Sequence, residues 1–126
     1  MIWLPDTCVW IEWLAQSATG QRYQALFFKP EALLLPTVVQ FELRRWALRE
    51  LGDDMADEVM ASARAAMVMV LEESIALHAA ELNRAHGLAA IDALIYATAL
   101  HHGARLITCD AHFKGLPQVE YAPKLK

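Results

Sequence analysis

The sequence predicts an α/β fold: a mostly parallel central sheet of about five strands with helices on both faces. Two observations carry that reading. Apolar runs of strand length alternate along the chain with stretches of helical periodicity, and strands joined through helices return to the sheet in parallel. Length and composition agree, since 126 residues with 56% hydrophobic and 21% charged side chains suffice to bury about two-thirds of the unfolded surface around one core. No repeat, low-complexity tract or long linker divides the chain, so residues 1–126 read as one domain.

Residues 2–5 form the first expected strand, and Asp6 ends it. A helix follows, with Trp10 and Trp13 three residues apart on one side. Residues 33–35 are the second strand. Thr37-Val38-Val39-Gln40 has the form of a capping box, opening a helix that runs to about Leu51 with Gly52 as its stop. A helical pattern covers 53–64, and residues 67–71 are the third strand. Ser74 is the expected N-cap of a helix ending near Gly87, and a further helix runs from about Ala90 to Gly103. Residues 105–108 and a weaker run at 118–121 complete the strands.

Several function classes are disfavoured by composition. The longest apolar stretches are too short and too often broken by charge to span a bilayer. The opening MIWLPDTCVWIEW has no basic residue before its apolar run and is interrupted by Asp6, unlike a signal peptide, so a cytoplasmic location is expected. A net charge of −4 argues against holding nucleic acid by a broad basic surface, although bound cations would reverse the balance locally. Cys8 and Cys109 are too few for a disulfide scaffold. They read as small buried hydrophobes at strand ends, with a redox-sensitive pair or a soft-metal site as the other readings.

The chemistry-bearing residues are four carboxylates. Asp6 and Asp110 each follow an expected central strand, where open α/β sheets collect ligands. Glu42 interrupts an apolar helical stripe between Val38, Val39 and Trp46. Asp92 does the same between Leu88 and Ile95, in the first turn of its helix, where the dipole favours an anion. Singly, Asp6 suits an Asx-turn, Asp92 a helix-end anion, Asp110 a turn, and Glu42 a pair with Arg45 or Arg49. Jointly they suggest one acidic pocket, which resists burial unless a proton or a hard cation offsets the charge. Mg²⁺ or Mn²⁺ suits such oxygen donors.

Near these acids, Arg44, Arg45, Arg49 and Lys114 are candidate phosphate contacts, and Trp10, Trp13 and Trp46 are candidate base-stacking surfaces. Solvated helix faces and core packing are the plainer readings of both sets. His101-His102 sits at a helix end, and His112 reads as structural.

Four segments together, Leu4-Pro5-Asp6-Thr7-Cys8-Val9-Trp10-Ile11, Thr37-Val38-Val39-Gln40-Phe41-Glu42-Leu43, Ile91-Asp92-Ala93-Leu94-Ile95-Tyr96-Ala97-Thr98-Ala99 and Leu106-Ile107-Thr108-Cys109-Asp110-Ala111-His112-Phe113, resemble the PIN-domain ribonucleases. More narrowly, the chain is similar to VapC-type toxins of bacterial toxin–antitoxin pairs. The resemblance implies a PIN-like α/β/α sandwich and a site in which Asp6, Glu42, Asp92 and Asp110 hold Mg²⁺ or Mn²⁺, with Thr108 in support. It also implies an RNA substrate, a cognate antitoxin and a homodimer. Cys8 stands where Ser or Asn is usual, and Pro5 where an aliphatic residue is commoner. Two rivals remain at this level: a PIN-like binding module without chemistry, and an aspartate-based phosphatase or phospho-acceptor. The second lacks an aspartate two residues after Asp6, where Cys8 stands, and has no additional acidic pair with a later lysine.

Overall fold

A computed structural model describes residues 1–125. In chain order its elements are β1 (Trp3–Pro5), α1 (Thr7–Leu14), α2 (Ala18–Phe27), β2 (Leu34–Pro36), α3 (Thr37–Leu51), α4 (Asp53–Ala63), β3 (Met67–Met69), α5 (Glu73–His86), α6 (Ala90–His101), β4 (Arg105–Thr108) and β5 (Val119–Tyr121). Two single-turn 3-10 helices, Pro30–Ala32 and Ala111–Phe113, precede β2 and follow β4. No helix among the described residues is long and apolar enough to cross a membrane.

All strand pairs are parallel, as the alternation of elements predicts. β4 lies between β1 and β5, and β2 pairs with β3. The expected five-stranded sheet is thus hydrogen-bonded as a group of three and a group of two, joined by one bridge between Trp3 and Leu33. Its middle is fully apolar: Leu4, Leu35, Leu106 and Ile107 are completely buried, as a sheet covered on both faces demands. The register sets Pro5 beside Ile107, so β1 and β4 end together at one edge.

Helix boundaries depart from the sequence reading in two places. β2 continues through Pro36, paired with Met69, so Pro36 occupies the N-cap position and Thr37 is already helical. The capping box is therefore not made. Ser74 is likewise not a cap, because α5 starts two residues earlier than that cap would set, at Glu73, with Glu72 extended at the N-cap and no side-chain cap bond. There the chain turns early to bury Ile75, 2% exposed. β3 is shorter than expected, ending at Met69; Val70 and Leu71 beyond it are exposed. The stops at Gly52 and Gly87 are found, both at positive φ.

One contact of the fold left no trace in the hydrophobic pattern. α1 and α2 cross so closely at Gly20 that a Cβ there would meet the Glu12 carbonyl oxygen at 2.1 Å and the Trp13 Cα at 2.7 Å. Beside that crossing, the Trp13 and Phe27 rings stack with centroids 4.3 Å apart, and Trp10 meets Phe27 edge-on at 4.8 Å. Two of the three candidate stacking tryptophans thus pack against the protein's own core.

Candidate functional site

Asp6 is the anchor of the site. It terminates β1, caps α1, and is only 6% exposed. Its Oδ1 accepts from the Thr7 amide at 2.7 Å, and its Oδ2 accepts from the Thr108 hydroxyl at 2.8 Å. Thr108, at the end of β4 and fully buried, also accepts from the Asp110 amide at 3.0 Å. One hydroxyl therefore ties the ends of two strands together.

Burial pushes the Asp6 carboxyl up to about 6, and the charges of Asp92 and Glu42 add to the rise; the bonds from Thr108 and Thr7 oppose it. Asp92, in the first turn of α6, is also raised, first by burial and then by Asp110 and Glu42, with His112 opposing. Hydrogen bonds through Thr7 and Thr108 join Asp6, Glu42 and the Asp110 backbone, and the mutual influence of charge sets Asp92 in the same neighbourhood. Glu42 is held from α1 as well, because the Thr7 hydroxyl donates to its Oε1 at 2.7 Å. Asp110 accepts from both the His112 amide, at 2.9 Å, and His112 Nδ1, at 2.8 Å.

Convergence stops short of a closed cage. Among the described residues, no three His, Cys, Asp or Glu side chains are gathered at distances that would enclose an ion. The donor set nevertheless fits a hard divalent cation in kind: oxygen ligands only, mutually repelling, with hydroxyl and amide donors that orient Asp6 and Glu42. Mg²⁺ takes only one or two direct carboxylates and keeps several waters. A spread arrangement of four acids is compatible with that habit.

Thr7 and His112 are the residues whose part the sequence reading missed. Thr7 follows Asp6 directly, but its partner Glu42 is 35 residues away and no local pattern announces the bond. His112, expected to be structural, sets its ring Nδ1 2.8 Å from Asp110 Oδ1. Beside Glu42 lies a hollow of about 190 Å³ lined by Thr7, Ile11, Glu42, Arg45, Trp46 and Arg49. A longer groove of about 790 Å³ runs along the outer side of α3, between Phe41, Arg44, Leu48 and Met60. Arg44 pairs instead with Asp57 at 2.9 Å.

Cys8 and Cys109 are both free and half-buried beneath the acids. The Cys109 amide donates to Cys8 Sγ at 3.1 Å; contact with the Cys109 side chain and burial raise the Cys8 thiol above its usual range, and contact with Cys8 lowers that of Cys109.

The sequence model described as PIN domain matches residues 3–118. The chain belongs to the PIN domain family. Solved PIN-like structures share its fold at low identity. A toxin–antitoxin complex from Klebsiella pneumoniae superposes with a TM-score of 0.84 at 22% identity, covering 98% of this chain and 99% of the other. VapBC2 from Rickettsia felis, bound to a promoter DNA fragment, gives 0.75 at 18% identity, with 96% and 98% covered. Mycobacterium tuberculosis VapC20, described as a Sarcin-Ricin loop cleaving toxin, gives 0.74 at 21%, with 95% and 98% covered. No curated protein sequence matches the chain. Membership in the PIN family agrees with the parallel sheet.

Proposed function

We propose that this PIN domain is a divalent-metal-dependent endoribonuclease, acting as one unit over residues 1–126. The observation that carries the reading is the hydrogen-bond chain at one strand edge: Thr7 bonds both Asp6 and Glu42, and Thr108 bonds Asp6 and the Asp110 amide, with Asp92 near enough for its charge to act on Asp6. A bound Mg²⁺ or Mn²⁺ supplies an acidified water and neutralises charge growing on a phosphodiester. Asp6 and Asp92 are assigned as its direct ligands, being the buried acid at a strand end and the acid at a helix start. Glu42 and Asp110 are assigned to orienting water or bridging to the ion. Thr108 and Thr7 hold Asp6 and Glu42 in position, and His112 holds Asp110. Arg45 and Arg49, lining the hollow with Glu42, are suited to phosphates of an RNA strand, and Trp46 to a base.

The biological role we assign is that of a VapC-type toxin, cytoplasmic, dimeric and restrained by a cognate antitoxin. Support comes from solved structures described as a toxin–antitoxin complex and as a Sarcin-Ricin loop cleaving toxin, and from exposed apolar side chains such as Phe41 and Leu77, 58% and 63% exposed, available to a partner or a second copy. The test is cleavage of RNA by purified protein in Mn²⁺, in EDTA, and by the Asp6→Asn and Asp92→Asn variants. Cleavage only by the wild type in Mn²⁺ is expected. Cleavage that persists in EDTA or in Asp6→Asn would overturn the mechanism.

A further inference from the structure

We propose that Cys8 and Cys109 are a built-in oxidation site, closing to an intramolecular disulfide under peroxide and thereby switching off the acidic site beside them. The two cysteines come from elements 101 residues apart in sequence, yet the Cys109 amide donates to Cys8 Sγ at 3.1 Å. Parallel pairing of β1 with β4 brings them together: Pro5 lies beside Ile107, and the Asp6 amide bonds to the Ile107 carbonyl at 2.8 Å. The amide nitrogen that Cys8 Sγ touches belongs to Cys109 itself, so the Cys109 side chain branches from the neighbouring atom and the two sulfurs need only a short approach to bond. Both cysteines are free and partly exposed, so a small peroxide can reach them.

The step balances without other reagents. Cys109 Sγ attacks one oxygen of hydrogen peroxide; the O–O bond breaks, and hydroxide leaves with the thiol proton as water. Cys8 Sγ then attacks the Cys109 sulfur; an S–S bond forms, the S–O bond breaks, and a second water departs. The cysteines lose two electrons and two protons, which the peroxide takes up.

Inactivation follows from what Cys8 touches. Its sulfur is 3.9 Å from Asp6 Oδ2 and 3.8 Å from Thr108 Oγ1, and drawing it to a bonded distance of about 2 Å from Cys109 shifts the turn that holds Asp6, Thr7 and Cys8. A displacement of about 1 Å at a catalytic group costs on the order of a hundredfold in rate. The effect on cleavage rests on the ribonuclease reading; the formation of the bond does not.

Reduced protein is treated with hydrogen peroxide, alkylated, and weighed intact. The wild type is expected to lose the mass of two hydrogens, take up no alkyl group, remain monomeric on a non-reducing gel and yield a Cys8–Cys109 linked peptide. Cys8→Ser and Cys109→Ser are expected to gain oxygen or one alkyl group instead. Full alkylation of treated wild type, oxygen adducts mapped by peptide analysis to Cys8 or Cys109 rather than to methionine, or a cross-linked dimer overturns the disulfide. Cleavage of RNA in Mn²⁺ by the oxidised form is expected to fall by about tenfold or more and to recover with dithiothreitol. Undiminished cleavage at full conversion overturns the switch. If reduced protein cleaves no RNA, the ribonuclease reading falls, and the switch is then judged by loss of the Mn²⁺-induced rise in melting temperature in the oxidised form.

Discussion

Replacing Asp6 by Asn is expected to stabilise the metal-free protein while abolishing its activity. Asp6 is almost wholly buried and its carboxyl is pushed from an ordinary 3.8 to about 6. Keeping it ionised at neutral pH therefore opposes folding by about 3 kcal/mol, at about 1.4 kcal/mol for each tenfold change in proton affinity. Asn has the same shape: its carbonyl can accept from the Thr7 amide, and the Thr108 hydroxyl can turn to accept from its NH₂. Because the folded-state value is raised, Asp6 is harmless below about pH 3.8, where folded and unfolded chains both carry the proton. The penalty grows as pH rises through the interval to about 6, and is constant above it. In EDTA at pH 7.5 the variant should melt roughly 10 °C above the wild type, at the entropy of unfolding usual for a chain of this length. The gap should narrow steadily toward pH 4.5. Thermal melts across that range check both points. A variant less stable than the wild type at pH 7.5, or a gap that does not change with pH, refutes the assignment of Asp6 as a strained buried anion.

Further expectations follow from the same geometry. Saturating Mn²⁺ at pH 7.5 should stabilise the wild type by about 3 kcal/mol at a hundred times its dissociation constant, and by much less at pH 5, where Asp6 holds its proton; calorimetric melts measure this. Thr7→Val deletes the 2.7 Å bond to Glu42, and should lower kcat about tenfold for a stability loss of about 1 kcal/mol, as steady-state kinetics and urea unfolding would report. Gly20→Ala drives a Cβ into the backbone of α1 and should cost about 3 kcal/mol in urea unfolding, without altering the metal response per folded molecule. Replacing Arg45 and Arg49 together by Ala, in the non-cleaving Asp6→Asn background, should weaken RNA binding and reduce the slope of log affinity against log salt by about 1 to 2. An unchanged slope removes both from the RNA path.

Much of the site was legible because each acid broke a local rule. Asp6 and Asp110 stood just past apolar runs, and Glu42 and Asp92 interrupted helical stripes, so their shared edge could be inferred from strand ends and helix faces. The helix starts were less legible. Thr37 and Ser74 each satisfy the composition of a cap, but a cap depends on where the preceding strand lets go, and β2 pairs through Pro36 whereas α5 begins at Glu73. Trp10 and Trp13 likewise offered aromatic faces whose use only the packing of Phe27 settles.

Patterning along the chain thus establishes the parallel α/β plan, the order of its elements and the identity of the anomalous acids, since periodicity is a relation among residues a few positions apart. Folding alone decides that Thr7 grips Glu42 across 35 residues, that Thr108 grips Asp6 across 102, and that Cys8 lies against Cys109. Contacts at such separation arise from strand register and helix crossing, and a hydroxyl or a thiol carries no mark of a distant partner until the backbone has brought it there.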